Sequence, residues 1–171
     1  MALGRVARLS LAALLTLTAF ALIGAAGLPE ANHLLGLWQA GAPILAGKTL
    51  DGASFSLAAW RGEAVIINFW ASWCPPCRDE LPALQALHEA GFRVVGVNVG
   101  EPPQRAAAFA AAHGVTFLNL TDADDYWLRV FRVRALPSTF FIAPSGAIRD
   151  VVSGGMSANE LRAKAESLAQ P

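Results

Sequence analysis

The sequence predicts an α/β sandwich around a mixed central sheet, preceded by a long apolar N-terminal helix. Three observations carry that expectation. Short β-branched apolar runs alternate with helix-period segments between residues 64 and 133, the pattern of strand–helix–strand units. A hairpin signal and a capped helix then close the chain, adding antiparallel pairing to a parallel sheet. Ahead of all this, Arg5 and Arg8 precede Leu9 to Leu28, a stretch without a single charge. Composition agrees: 171 residues suffice for one domain plus an extension. An apolar content of 54% against 15% charged excludes a disordered polyelectrolyte. Thirteen basic residues balance thirteen acidic ones, so the net charge offers no footprint for nucleic acid.

Residues 1–28 read as a membrane anchor or signal peptide. A helix of that uncharged length rises about 30 Å, enough to cross a hydrocarbon core. The run exceeds the ~7–15 residues of a signal-peptide core, which favours a retained anchor; Gly24-Ala25-Ala26 supplies a cleavage site for the alternative. With both arginines ahead of the run, the N-terminus stays in the cytoplasm and either outcome exports the remainder of the chain. Residues 29–41 form a connector, and residues 42–171 form the domain.

Within the domain, Asp51-Gly52 is a tight-turn signal between two short extended segments of Thr49 to Leu57. Ala64 to Trp70 is apolar apart from Asn68, as a strand buried on both faces should be. Pro75 to Ala90 comes next as a helix: its prolines sit in the first turn, Leu81, Leu84 and Leu87 share a face, and Gly91 ends it. Phe92 to Val99 reads as a second buried strand, Pro103 to His113 as an Ala-rich helix, and Val115 to Leu120 as a third strand. Asp124 to Val133 is expected to be a helix opened by acidic residues that suit its dipole. Ser138 to Ala143 and Ala147 to Val152 flank the turn Pro144-Ser145-Gly146. Ser157 and Glu160 have capping-box spacing for a last helix reaching about Leu168.

The only two cysteines, Cys74 and Cys77, lie three apart between the expected central strand and its helix. Disulfide exchange needs a thiolate, and a helix N-terminus stabilises one through free amides and the dipole, which makes Cys74 the better attacker. Helical residues three apart have Cα atoms about 5 Å apart, so Cys77 can close the bond without unfolding the helix. A purely structural staple is a poor alternative, because so short a ring contributes only about 2 kcal/mol. A metal site has half of a tetrahedral zinc set, although Cu(I) carriage by two thiolates stays open.

The string Asn68-Phe69-Trp70-Ala71-Ser72-Trp73-Cys74-Pro75-Pro76-Cys77-Arg78-Asp79-Glu80-Leu81-Pro82 resembles the active-site segment of TlpA/ResA-type thiol–disulfide oxidoreductases, of the thioredoxin superfamily with its redoxin-type domain. Leu136-Pro137-Ser138-Thr139-Phe140 resembles their second signature, and the likeness spans roughly Ala42 to Leu168. It implies a thioredoxin-like three-layer sandwich and no cofactor. It also implies an exported reductant of particular client disulfides, in cytochrome c maturation or copper-site assembly. The family motif places a redox-active disulfide at Cys74 and Cys77, and a Glu at the place of Glu80. Cytosolic thioredoxins carry a buried Asp where this chain has Asn68, which cannot titrate, so Glu80, one turn after Cys77, is expected to take over its proton transfer. A plain dipole role for Glu80 is the competing reading. Pro137 is expected to be cis, with Leu136 offering backbone groups to an extended substrate, while Trp73 shields Cys74.

The partners this implies are a client protein, a membrane thiol reductase as electron donor and, through residues 1–28, the membrane; nucleic acid is not among them, and the domain is expected to be a monomer. A Cu(I) metallochaperone and a dithiol oxidase are the alternative functions. His33, His88 and His113 carry no expected chemistry, the latter two falling near helix ends. Arg129, Arg132 and Arg134 are expected on a solvated helix face near the substrate groove.

Overall fold

The computed structural model describes residues 41–168. The expected anchor or signal peptide at 1–28 and the connector up to residue 40 lie outside the described residues. Among those described, no helix is long and apolar enough to cross a membrane.

Strands β1 (Ala46–Lys48) and β2 (Ser54–Ser56) pair antiparallel around the turn at Asp51-Gly52, where Gly52 takes φ +89°. The upstream strand lies just before Thr49 rather than after it, because Thr49 Oγ1 and the Asp51 carboxylate already close the turn. A short 3-10 helix, Leu57–Trp60, leads into the main sheet. That sheet holds β3 (Val65–Trp70), β4 (Arg93–Val99), β5 (Leu118–Asp122), β6 (Ser138–Ile142) and β7 (Ile148–Ser153), ordered β5-β4-β3-β6-β7. The first three run parallel, and β6 and β7 join antiparallel, so the sheet is mixed as expected. Helices α1 (Pro75–Glu89), α2 (Pro103–Ala112), α3 (Tyr126–Val130) and α4 (Ala158–Ser167) complete the layers.

Strand β3 is buried at every position, which is why its sequence is apolar on both faces. Period-two alternation sorts its side chains. Val65, Ile67 and Phe69 join Val95, Val97, Phe140 and the alanines of α2, whereas Ile66 meets Leu81, Leu84 and Leu87 of α1 and Leu161 of α4. Asn68 shares the parity of Ile66 and therefore points to the α1 side. Gly96 on β4 leaves room for the Trp70 Nε1–H to Asn119 Oδ1 hydrogen bond of 2.8 Å; a Cβ there would stand 1.8 Å from that oxygen.

Two further expected elements shift. Helix α3 is only Tyr126–Val130, not Asp124 to Val133. The anion at its N-terminus is Asp122, whose carboxylate accepts the Trp127 and Leu128 amides, while Asp125 is left-handed at φ 58°. Arg132, also left-handed at φ 54°, lies beyond the helix, so of the three arginines only Arg129 belongs to it. The third strand begins at Leu118 rather than Val115, since the Val115 amide bonds back to Ala110 to close α2 and Gln85 of α1 holds Thr116. The capping box at Ser157 and Glu160 forms as its spacing predicts.

Candidate active site

Strand β3 delivers the chain to a turn, Ala71–Cys74, closed by the Cys74 amide on the Ala71 carbonyl. Cys74 is the N-cap of α1, with extended backbone at φ −96° and ψ 105°. Its Sγ accepts the Cys77 amide at 3.3 Å and its carbonyl accepts the Arg78 amide at 3.3 Å. Pro75 and Pro76 bring no N–H, so they remove two of the donors a helix N-terminus normally offers. The sulfur of Cys74 thus receives one amide from its own helix. Cys74 and Cys77 form the disulfide, with Cα atoms 5.3 Å apart.

Glu80 is 2% exposed, one turn beyond Cys77. Asn68 Nδ2 donates to its Oε2 at 3.1 Å and the Met156 amide donates to its Oε1 at 3.2 Å. Burial pushes the carboxyl up to about 7, against the opposing pull of those two donors. The group therefore changes charge in the neutral range, which a surface glutamate at a helix start would not do. Asn68 Nδ2 also donates to Thr139 Oγ1 at 2.9 Å. A half-turn of the Asn68 amide would present Oδ1 instead, so it can accept from a protonated Glu80 as readily as it donates to a charged one.

Leu136–Pro137 is a cis peptide bond, as expected. The Pro137 carbonyl accepts the Gly154 amide at 2.8 Å, and Gly155 packs on Pro76, where an added Cβ would meet the Pro76 Cβ at 3.5 Å. The segment Gly154–Met156 thereby touches the proline loop, the start of α1 and Glu80. Beside it lies a groove of about 430 Å³, lined by Trp73, Cys74, Pro76, Leu128, Arg134 and Leu136 among others. Trp73 is 60% exposed, so it forms a wall of that groove rather than part of the core. Arg134 is the one charged side chain in the lining; Arg129 and Arg132 do not line it. The structure thus gathers Trp73, Cys74, Leu136 and Pro76 around the groove, whereas the buried Cys77 and Glu80, and Pro137, are not in its lining. His88 and His113 lie elsewhere, the latter stacked on Phe109.

One residue at this site was missed by sequence reasoning. Glu101, 3% exposed, comes just after β4 and reaches the active-site turn. Its carboxylate accepts the Ser72 amide at 2.7 Å, the Ser72 hydroxyl and Asn98 Nδ2 at 2.8 Å, and pairs with Arg105 at 3.4 Å. The signal available was positional: groups at the C-terminal ends of neighbouring parallel strands converge on one rim.

Comparison with known proteins agrees with this geometry. Residues 39–151 match the model of the AhpC/TSA family. The thiol-disulfide oxidoreductase ResA of Geobacillus thermodenitrificans is 34% identical over 131 residues, covering 74% of this chain and 75% of that protein. Among solved structures, a thiol:disulfide interchange protein of the thioredoxin family from Chlorobium tepidum superposes with TM-score 0.69 at 29% identity, covering 75% of this chain and 94% of its own. A secreted disulfide oxidoreductase from Mycobacterium tuberculosis gives 0.67 at 27% identity, covering 72% and 96%. With its thioredoxin-like sheet and its Cys74–Cys77 pair at the start of α1, the chain belongs to the AhpC/TSA family and is a ResA-like thiol–disulfide oxidoreductase.

Proposed function

We propose that the domain works outside the cytoplasm as a reductant of selected client disulfides. The observation that carries this is the setting of Cys74: the residue lines an apolar groove and its sulfur receives only one helix amide, so its thiolate is weakly stabilised. A weakly stabilised dithiol gives up electrons readily, the converse of oxidants whose reduced form is stabilised. The uncharged run Leu9 to Leu28 and the likeness to a secreted oxidoreductase support an exported, N-terminally anchored domain. Proteins awaiting haem attachment or copper are the client class the family resemblance favours.

In the cycle, the Cys74 thiolate attacks one sulfur of the client disulfide; the client's other sulfur leaves as a thiolate and takes up a proton. Trp73, Leu136 and Pro137 hold the extended client segment during this mixed disulfide. Charged Glu80 accepts the Cys77 proton, and the Cys77 thiolate then attacks Cys74 Sγ, leaving the Cys74–Cys77 disulfide and releasing the client's second sulfur as a thiolate that takes up the proton held by Glu80. Two electrons and two protons have passed to the client. A membrane dithiol reductase returns them, and the domain acts as a monomer throughout.

The test is the reduction potential of the Cys74–Cys77 couple, with trapping by Cys77→Ser. A potential below about −230 mV, toward that of thioredoxin, and a covalent adduct between the variant and a disulfide-bearing client peptide are expected. A potential near −120 mV, typical of the strongest dithiol oxidants, would overturn the direction of flow. Failure to trap any adduct would overturn the two-step scheme.

A further inference from the structure

Glu101 has no part in that cycle, yet the fold invests a buried carboxylate and four partners in it. The Ser72 amide and hydroxyl both bind it, from a residue two positions before Cys74. Two peptide steps span at most ~7.6 Å between Cα atoms, so the carboxylate is hydrogen-bonded to the same short turn that carries the cysteine. Asn98 turns Nδ2 toward it although this leaves Asn98 Oδ1 without a partner among the described residues. That orientation is one the carboxylate imposes. Burial alone would push the Glu101 carboxyl up, but Ser72, Asn98 and Arg105 outweigh it and hold it below the usual range. The group is therefore charged whenever the enzyme works.

We propose that Glu101 is a positioning residue of the redox centre: its carboxylate pins the Ala71–Cys74 turn through Ser72 and sets a negative charge on the turn that carries Cys74, which holds down that residue's thiolate population. Like charge disfavours a thiolate, so Glu101 acts in the same direction as the missing amides of Pro75 and Pro76. Other charged groups stand around Cys74 too. Arg134 lines the groove, Arg78 and Glu80 lie further along α1, and Arg105 of α2 partly neutralises Glu101 from a largely exposed position. The inference rests on Cys74 as the attacking thiol.

The test measures alkylation of Cys74 by iodoacetamide against pH in the reduced, detergent-solubilised full chain, with the modified cysteine identified by mass spectrometry. Glu101→Gln keeps the shape and an acceptor for Ser72 but removes the charge. It should lower the apparent pKa of Cys74 by about half a unit or more, roughly a threefold rise in thiolate at a pH below it. Arg105→Ala exposes the charge and should shift the profile the other way by a smaller amount. Shifts of opposite sign are the outcome a merely structural role would not produce. Unmoved profiles, or shifts of the same sign in both variants, would overturn the proposal. Should Glu101→Gln fail to fold, the exposed Arg105→Ala variant still decides. Alkylation at Cys77 in place of Cys74 would instead overturn the assignment of the attacker, a separate result needing no client.

Discussion

Glu80→Gln should change how stability depends on pH, and the size can be worked from the site. The unfolded carboxyl titrates near 4.5, whereas in the fold it is pushed up to about 7. The native state therefore holds a proton that the unfolded state has released at every pH between these values. Stability is greatest below about 4.5, falls as pH rises through the window, and reaches its full loss above about 7. At 1.36 kcal/mol per unit, ionising this buried group costs on the order of 3 kcal/mol. The glutamine has nothing to ionise, and Asn68 can turn its amide to accept from it, as it would from the protonated acid.

The expected result is therefore a difference in stability between Glu80→Gln and the parent that grows by about 3 kcal/mol from pH 4.5 to pH 8, in favour of the variant. Urea unfolding of the oxidised proteins across that range, with slopes compared to exclude a change in the unfolded state, measures it. A difference that stays flat to within about 0.5 kcal/mol would refute the linkage and return Glu80 to a simple partner of the helix dipole. In reduced protein the same variant should lose the step near pH 7 in release of the mixed disulfide, because the group that receives the Cys77 proton is gone.

Other substitutions probe separate parts of the molecule. Gly96→Ala would drive a Cβ into Asn119 Oδ1 and break its bond with Trp70, so a loss of about 3 kcal/mol or more is expected by chemical denaturation. Arg134→Glu should reverse the preference for client charge. The parent should reduce peptide disulfides with acidic flanks about two- to fivefold faster than basic ones, as an exposed pair allows, with equal rates on a small neutral disulfide. Ser157→Ala removes the capping box of α4 and should cost about 1 kcal/mol in thermal unfolding while leaving the potential of the cysteine pair unchanged.

The sequence was most legible where one strong local signal acted alone. The run Ala64 to Trp70 has the length and β-branched content of a doubly buried strand, which forms at Val65–Trp70; Pro75 and Gly91 bracket α1, and Ser157 with Glu160 announces α4. It was least legible where distant groups compete with the local signal. Asp124 and Asp125 look like the start of a helix, but Asp122 takes the free amides of Trp127 and Leu128 and moves the start to Tyr126. Val115 looks like a strand residue until the Ala110 carbonyl claims its amide. Glu80 could be singled out because its relation to Cys77 is one helical turn. The relation of Glu101 to Cys74 exists only because β4 lies beside β3.

That contrast explains how two buried carboxylates near one cysteine pair come to differ. Glu80 meets two donors, neither of them charged, so burial wins and its proton is held to about pH 7. Glu101 lies less deep and meets two donors from Ser72, one from Asn98 and the guanidinium of Arg105, so the charged form wins even though its side chain is as little exposed as that of Glu80. The first is able to give and take a proton at the pH of the reaction, and its partner Asn68 can reverse its amide to match. The second cannot titrate there and supplies only a fixed field and a fixed turn. Exchanging their surroundings would exchange their roles: adding a cation beside Glu80 should abolish its step near pH 7, even with both carboxylates still present.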